Sequence, residues 1–73
     1  GSDSWIVDKE PNYENGILKI EIGSIEKTIN CRQDENDNNN YHIEISQENE
    51  TIQKGQIKIE RLNSKAYKII FQP

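Results

Sequence analysis

The sequence predicts an all-β protein: a five- to six-stranded antiparallel meander that forms a small or partly open β-barrel. The first observation is alternation, because apolar residues occupy every second position in three segments, as strands with one buried face require. The second is that no segment shows a sustained helical period. The third is that most connections are short enough for antiparallel neighbours. The alternating sets are Leu18, Ile20 and Ile22; Tyr41, Ile43 and Ile45; and Tyr67, Ile69 and Phe71.

Turn residues divide the chain into its elements. Asn15-Gly16 is a good pair for a tight turn, and Gly23-Ser24 predicts a two-residue type II′ hairpin because glycine suits its first central position. That hairpin would place Ile22 opposite Ile25 and Leu18 opposite Ile29. The candidate strands that result are residues 4–7, 17–22, 25–32, 41–46, 51–62 and 66–72.

The same register turns one charge, Lys27, towards the buried face opposite Ile20. Two arrangements of Lys27 are open. Its aliphatic stem can pack while the ammonium reaches the rim of the sheet, or the side chain can line the mouth of a cavity.

Parity also decides the last turn. A two-residue loop at Asn63-Ser64 would place Glu60 opposite Tyr67, a charge facing a core residue. A three-residue loop over residues 63–65 instead pairs Ile59 with Ile69. We therefore predict the three-residue loop, with Asn63 or a neighbour in the left-handed region.

The inner faces of these strands define the expected core. Gly55 lies inside the long fifth segment and predicts a bulge or bend that curves the sheet towards closure. The predicted core consists of Leu18, Ile20, Ile22, Ile29, Cys31, Ile43, Ile45, Ile57, Ile59, Ile69 and Phe71.

Length and composition limit the classes of protein. Residues 1–73 suffice for a single domain. Gly1-Ser2 resembles a cloning remnant, so residues 1–3 are expected outside the fold, and residues 32–40 are expected to form a long, mobile polar loop. A formal charge of −4 without a basic stripe argues against a nucleic-acid partner. No apolar run is long enough to span a membrane.

The residues that could carry chemistry are few. The single Cys31 excludes an internal disulfide and shares its parity with apolar residues, so we expect a small buried hydrophobe. His42 has the outward parity, which separates it from Cys31. The oxygen-rich loop after Gln33 departs from a calcium loop, with Asn39 where glycine is needed and Ile45 where a glutamate is needed. We predict no catalytic site, metal or cofactor, and hence no enzyme.

Several strings resemble the strands of a known family. Trp5-Ile6-Val7 precedes Gly16-Ile17-Leu18-Lys19-Ile20, and Tyr41-His42-Ile43 precedes a closing pair of strands, residues 57–62 and 67–71. Over nearly the whole chain this order resembles small bacterial lipocalin-like β-barrel domains. The resemblance implies a meander barrel, opened by a tryptophan, that holds an apolar ligand. A lipocalin barrel has eight strands, and with about six strands side chains should fill the centre.

The first functional hypothesis is a non-enzymatic protein–protein interaction module. It would bind another protein through an edge strand or an exposed sheet face carrying Ile17, Ile70 and Lys68. Ile52 has the same outward parity. The last strand, residues 66–72, is the expected edge because it is terminal and ends at Pro73.

The alternative hypothesis is a lipocalin-like carrier of a small apolar ligand. In that case Trp5, Lys27 and Tyr41 would line the opening. An internal cavity of about 300 Å3 or more would favour the carrier, whereas a filled core would exclude it.

Overall fold

The computed structural model describes the backbone of residues 1–47 and 50–73 and the side chains of residues 1–44 and 54–73. In this part of the chain every regular element is a β-strand, which confirms the all-β class. No helix there is long and apolar enough to cross a membrane. The strands are β1 Asp3–Val7, β2 Asn12–Glu14, β3 Ile17–Ile22, β4 Ile25–Asn30, β5 Arg32–Gln33, β6 Asn40–Gln47, β7 Glu50–Asn63 and β8 Ala66–Gln72.

The strands form two antiparallel sheets rather than a closed barrel. The large sheet has five strands in the order β1-β8-β7-β6-β5, and the small sheet has three in the order β2-β3-β4. Strands β5 to β8 and strands β2 to β4 pair in sequence order, as in a meander, whereas β1 pairs with the distant β8. The chain passes from the small sheet to the large one at Cys31, the single residue between β4 and β5. The partly open form is therefore the one observed.

Two tight turns hold the small sheet as predicted. Gly23 has φ 63°, and its hairpin pairs Ile22 with Ile25 and Ile20 with Lys27. Asn15 and Gly16 both have positive φ, 52° and 78°, as a type I′ turn requires. The register of β3 and β4 is thus fixed by local turn chemistry.

The last hairpin has the predicted register, but its loop consists of the two residues 64–65 and not of the predicted three, 63–65. Ile59 lies opposite Ile69, as parity required, whereas Asn63 pairs with Ala66 and Leu62 is the extra residue of a bulge. The expectation of a left-handed residue at or near Asn63 is wrong, because Asn15 is the only non-glycine residue with positive φ in the described chain. The Asn63 side-chain oxygen instead accepts a hydrogen bond from the Lys65 amide at 2.8 Å.

The core lies between the two sheets. Four predicted residues and two others, Val7 and Tyr41, are buried, and the partly buried members of the predicted core pack against them. The side chain of Ile45 lies outside the described residues. The buried set is Val7, Leu18, Ile20, Tyr41, Ile57 and Ile69, and the partly buried predicted set is Ile22, Ile29, Cys31, Ile43, Ile59 and Phe71.

The expectation for Gly55 needs correction. The pairing of β6 with β7 continues regularly through Gly55, which lies opposite Ile43, and the register shift falls at Ile45/Ser46. Gly55 is a point of close approach: a Cβ there would lie 3.1 Å from Cε2 of Phe71. The glycine therefore makes room for an aromatic ring.

The first strand corrects two further expectations. Asp3, expected outside the fold, begins β1 and pairs with Phe71. The whole of β1 pairs with β8, so β8 lies between β1 and β7 and is not an edge strand. This pairing brings Trp5 opposite Ile69 and Val7 opposite Tyr67, which extends the inner apolar face of the large sheet.

Candidate ligand-binding site

An apolar cleft of about 340 Å3 lies between the two sheets. It exists because the inner face of the five-stranded sheet is wider than the three-stranded sheet that covers it. Its walls are almost entirely apolar and come from both sheets. The small sheet contributes Ile20, Ile22, Lys27, Thr28 and Ile29, and the large sheet contributes Trp5, Ile43, Ile57, Ile69 and Phe71.

Two of the three residues predicted for a ligand opening lie in this wall. Trp5 is 40% exposed, so its ring is in contact with both the cleft and solvent. Lys27 is exposed and is the one charged residue in the lining. Among the described residues no carboxylate forms an ion pair with it. An apolar cleft with one cation beside it can take an apolar group that ends in a polar or anionic head.

Tyr41, the third predicted residue, does not line the cleft. It is buried in the core, where the centroid of its ring lies 5.1 Å from the centroid of the Tyr13 ring. The Tyr13 hydroxyl donates to the carbonyl of Cys31 at 3.1 Å and accepts from the amide of Gln33 at 3.3 Å. These two hydrogen bonds connect β2 to the residues at which the chain passes from the small sheet to the large one. Sequence reasoning missed Tyr13 because the three-residue β2 shows no alternation to detect.

Cys31 has the structural role that its parity predicted. It is partly buried and packs against the core. Burial raises the pKa of its thiol, so the reactive thiolate is disfavoured at neutral pH.

A polar contact that the sequence did not predict joins Asp34, in the oxygen-rich loop after Gln33, to His42 of β6. Nε2 of His42 lies 2.7 Å from Oδ2 of Asp34, while Oδ1 of Asp34 accepts the amide of Asn36 at 2.8 Å. The His42 contact, and then the Asn36 amide, lower the pKa of the Asp34 carboxyl. The segment expected to be a loop over residues 32–40 begins with strand β5 and ends with the first residue of β6.

We expect Asp34→Asn to remove a pH-dependent part of stability. A carboxyl whose pKa is lowered by folding stabilises the native state above its unfolded pKa, and this contribution is lost as the pH falls through the folded pKa. The loss of stability in Asp34→Asn should thus be greatest at neutral pH and shrink below the ordinary value of 3.8. Urea unfolding at a series of pH values measures it, with His42→Gln expected to behave alike. An effect of Asp34→Asn that is the same at every pH would contradict this role.

The residues predicted for a protein-binding surface are not brought together. Ile17 is exposed on the outer face of the small sheet, whereas Ile70 and Lys68 are partly buried on the outer face of the large sheet. The side chain of Ile52 lies outside the described residues. No single surface therefore contains the predicted set.

A larger hollow of about 550 Å3 lies on the outer face of the large sheet. One cross-strand row supplies much of its wall, since Arg32 pairs with His42, His42 with Gln56, and Gln56 with Gln72. Its walls combine polar and charged side chains with Ile43 and Pro73, so they are less apolar than those of a typical small-molecule pocket. Within the part of the chain that is described, no three metal-ligating side chains converge on a point.

Comparison with protein-family models, curated proteins and solved structures finds no match to this chain. The assignment of function therefore depends on the geometry of the two sheets and the cleft between them.

Proposed function

We propose that this domain is a non-enzymatic binding protein that holds a small apolar ligand between its two sheets. The observation that supports it most is the cleft itself, about 340 Å3 in volume with almost purely apolar walls. Ligand pockets in proteins have volumes of about 300–1,000 Å3 and are mostly apolar. An apolar ligand that enters removes hydrophobic surface from water on both sides of the contact.

The positions of Trp5 and Lys27 support an amphipathic ligand. Trp5 offers a flat apolar ring on the wall from the large sheet, and Lys27 offers a cation on the wall from the small sheet. Binding in this way agrees with what the resemblance to lipocalin-like domains implies. The ligand is bound without chemical change, because neither residue is a catalytic group in this setting.

The test compares two substitutions at residues that face each other. Ile22 lines the cleft, whereas its partner Ile25 is exposed and does not line it. The probe is N-phenyl-1-naphthylamine, a neutral dye whose fluorescence rises in apolar surroundings. We expect Ile22→Trp to fill part of the cleft and weaken dye binding about tenfold, which is about 1.4 kcal/mol. Ile25→Trp should bind the dye as the unchanged chain does.

Isothermal titration calorimetry provides a second measurement that is independent of the added tryptophan. Thermal unfolding of both variants checks that they are folded under the assay conditions. The proposal is wrong if the unchanged chain does not bind the dye, or if Ile22→Trp binds it as tightly as Ile25→Trp.

A further inference from the structure

We propose that β4 is a docking edge to which an extended segment of a partner protein adds as a fourth strand of the small sheet. The proposal does not rest on ligand binding in the cleft, although the docking edge and the cleft share Lys27 and Ile29. It assigns the edge-strand function to a different strand from the one that the sequence suggested, because β8 is covered by β1.

The hydrogen-bonding pattern of β4 identifies the free groups. β4 pairs with β3 on one side, and none of the described strands pairs with it on the other. In a two-residue hairpin the residues that flank the turn exchange hydrogen bonds, and the pattern then alternates. The amide of Cys31 donates to the carbonyl of Gly16 at 3.0 Å, in phase with that alternation. The backbone groups of Glu26, Thr28 and Asn30 therefore point away from β3.

The other edges suit a partner strand less well. β2 has three residues and β5 has two, whereas β4 has six, of which five are exposed. β1 is in contact with β3 of the small sheet. β4 also borders the cleft, since Lys27 and Ile29 form part of its wall, while Ile43 of β6, just beyond the two residues of β6 that pair with β5, contributes from the other side. A strand added to β4 thus gains apolar surface as well as backbone hydrogen bonds.

The side chains of β4 define the chemistry of the partner. Its inner face carries Ile25, Lys27 and Ile29, in phase with the buried residues of β3. Side chains directly opposite each other stabilise a pair of strands when they are both apolar or of opposite charge. The partner segment should therefore have an acidic residue flanked, two positions away on each side, by apolar residues.

Charge disfavours a second copy of this chain as the occupant. In the three antiparallel self-pairings of β4 that keep the inner faces together with the greatest overlap, Lys27 lies opposite Lys27, Ile25 or Ile29. None of these gives Lys27 an acidic partner. A segment of a different protein can bond to the free backbone groups of β4 and also place an acidic residue opposite Lys27.

Selection from a phage-displayed library of random ten-residue peptides tests the proposal. We expect the enriched peptides to share the apolar–x–acidic–x–apolar pattern. The key variant is Thr28→Pro, which removes an outward amide without removing a bond to β3. It should weaken binding of a selected peptide at least about tenfold, whereas Thr28→Val, which retains the amide, should bind it as the unchanged chain does.

Two further measurements exclude a folding defect as the cause. Methylation of alternate backbone amides of the peptide leaves the protein unchanged, and one of the two methylated sets should abolish binding. Amide hydrogen exchange at Glu26, Thr28 and Asn30 should slow when the peptide binds. The proposal is overturned if no peptide is enriched, if binding tolerates both methylated sets, or if protection appears at another strand.

Discussion

Leu18→Ala is expected to lower the free energy of unfolding by about 2–5 kcal/mol, the largest effect of any substitution considered for this chain. Leu18 is fully buried in β3, the central strand of the small sheet, where Tyr13 and Ile29 lie opposite it. Removing its side chain leaves a cavity between the sheets that neighbouring strands cannot fill. A domain of this size has little stability in reserve, so the variant should be largely unfolded at moderate urea concentrations.

The neighbouring Ile17 provides the matched control. It is on the same strand but faces outward and is 37% exposed. Ile17→Ala should cost less than about 1 kcal/mol, because no closed cavity forms. Urea unfolding followed by circular dichroism measures both variants. Equal losses for the two would contradict the assignment of the inner face of β3.

Gly55→Val is expected to destabilise the large sheet by about 1–3 kcal/mol through overpacking. A Cβ at this position would lie 3.1 Å from Cε2 of Phe71 and 3.2 Å from the carbonyl oxygen of Gln72. The valine methyl groups would extend the clash, so the Phe71 ring must move. Because Phe71 also lines the cleft, binding of N-phenyl-1-naphthylamine should change along with stability.

Lys54→Val tests whether this effect is steric. Lys54 is adjacent to Gly55 but exposed, and its contact with Glu44 is a long one of 3.9 Å. The substitution should change the unfolding free energy by less than about 0.5 kcal/mol. Should Gly55→Val prove as stable as the unchanged chain, the close approach of Phe71 would not constrain this position.

Local patterns predicted the hairpins, whereas the sequence offered no means of predicting the partners of separate segments. The registers around Gly23 and between Ile59 and Ile69 follow from turn length and parity, which act over a few residues. The pairing of β1 with β8 depends on which of several edges is free once the rest of the chain has folded. The alternation of apolar residues carries no information about which edge β1 joins, so the sequence predicted β8 as an edge strand although β1 covers it.

The sequence predicted which face of the sheet the candidate site residues occupy, but not which part of that face is left uncovered. Parity places Lys27 and Tyr41 on inner faces, the lipocalin-like resemblance adds Trp5, and all three are there. It does not say which part of the inner face is uncovered, so it could not separate Tyr41 in the core from the two residues at the cleft. The unequal width of the sheets, five strands against three, is set by the pairing of distant segments, which parity does not report.

We expect the pairing of the first strand with the last to impose an order on folding. Val7 and Tyr67 are direct partners although about sixty residues separate them, which makes this a contact that forms late because a long loop must close first. The β3–β4 hairpin needs no such closure. Trp5, the only tryptophan, reaches its place opposite Ile69 in that late step. Its fluorescence in a refolding experiment therefore reports completion of the large sheet, after the small sheet has formed.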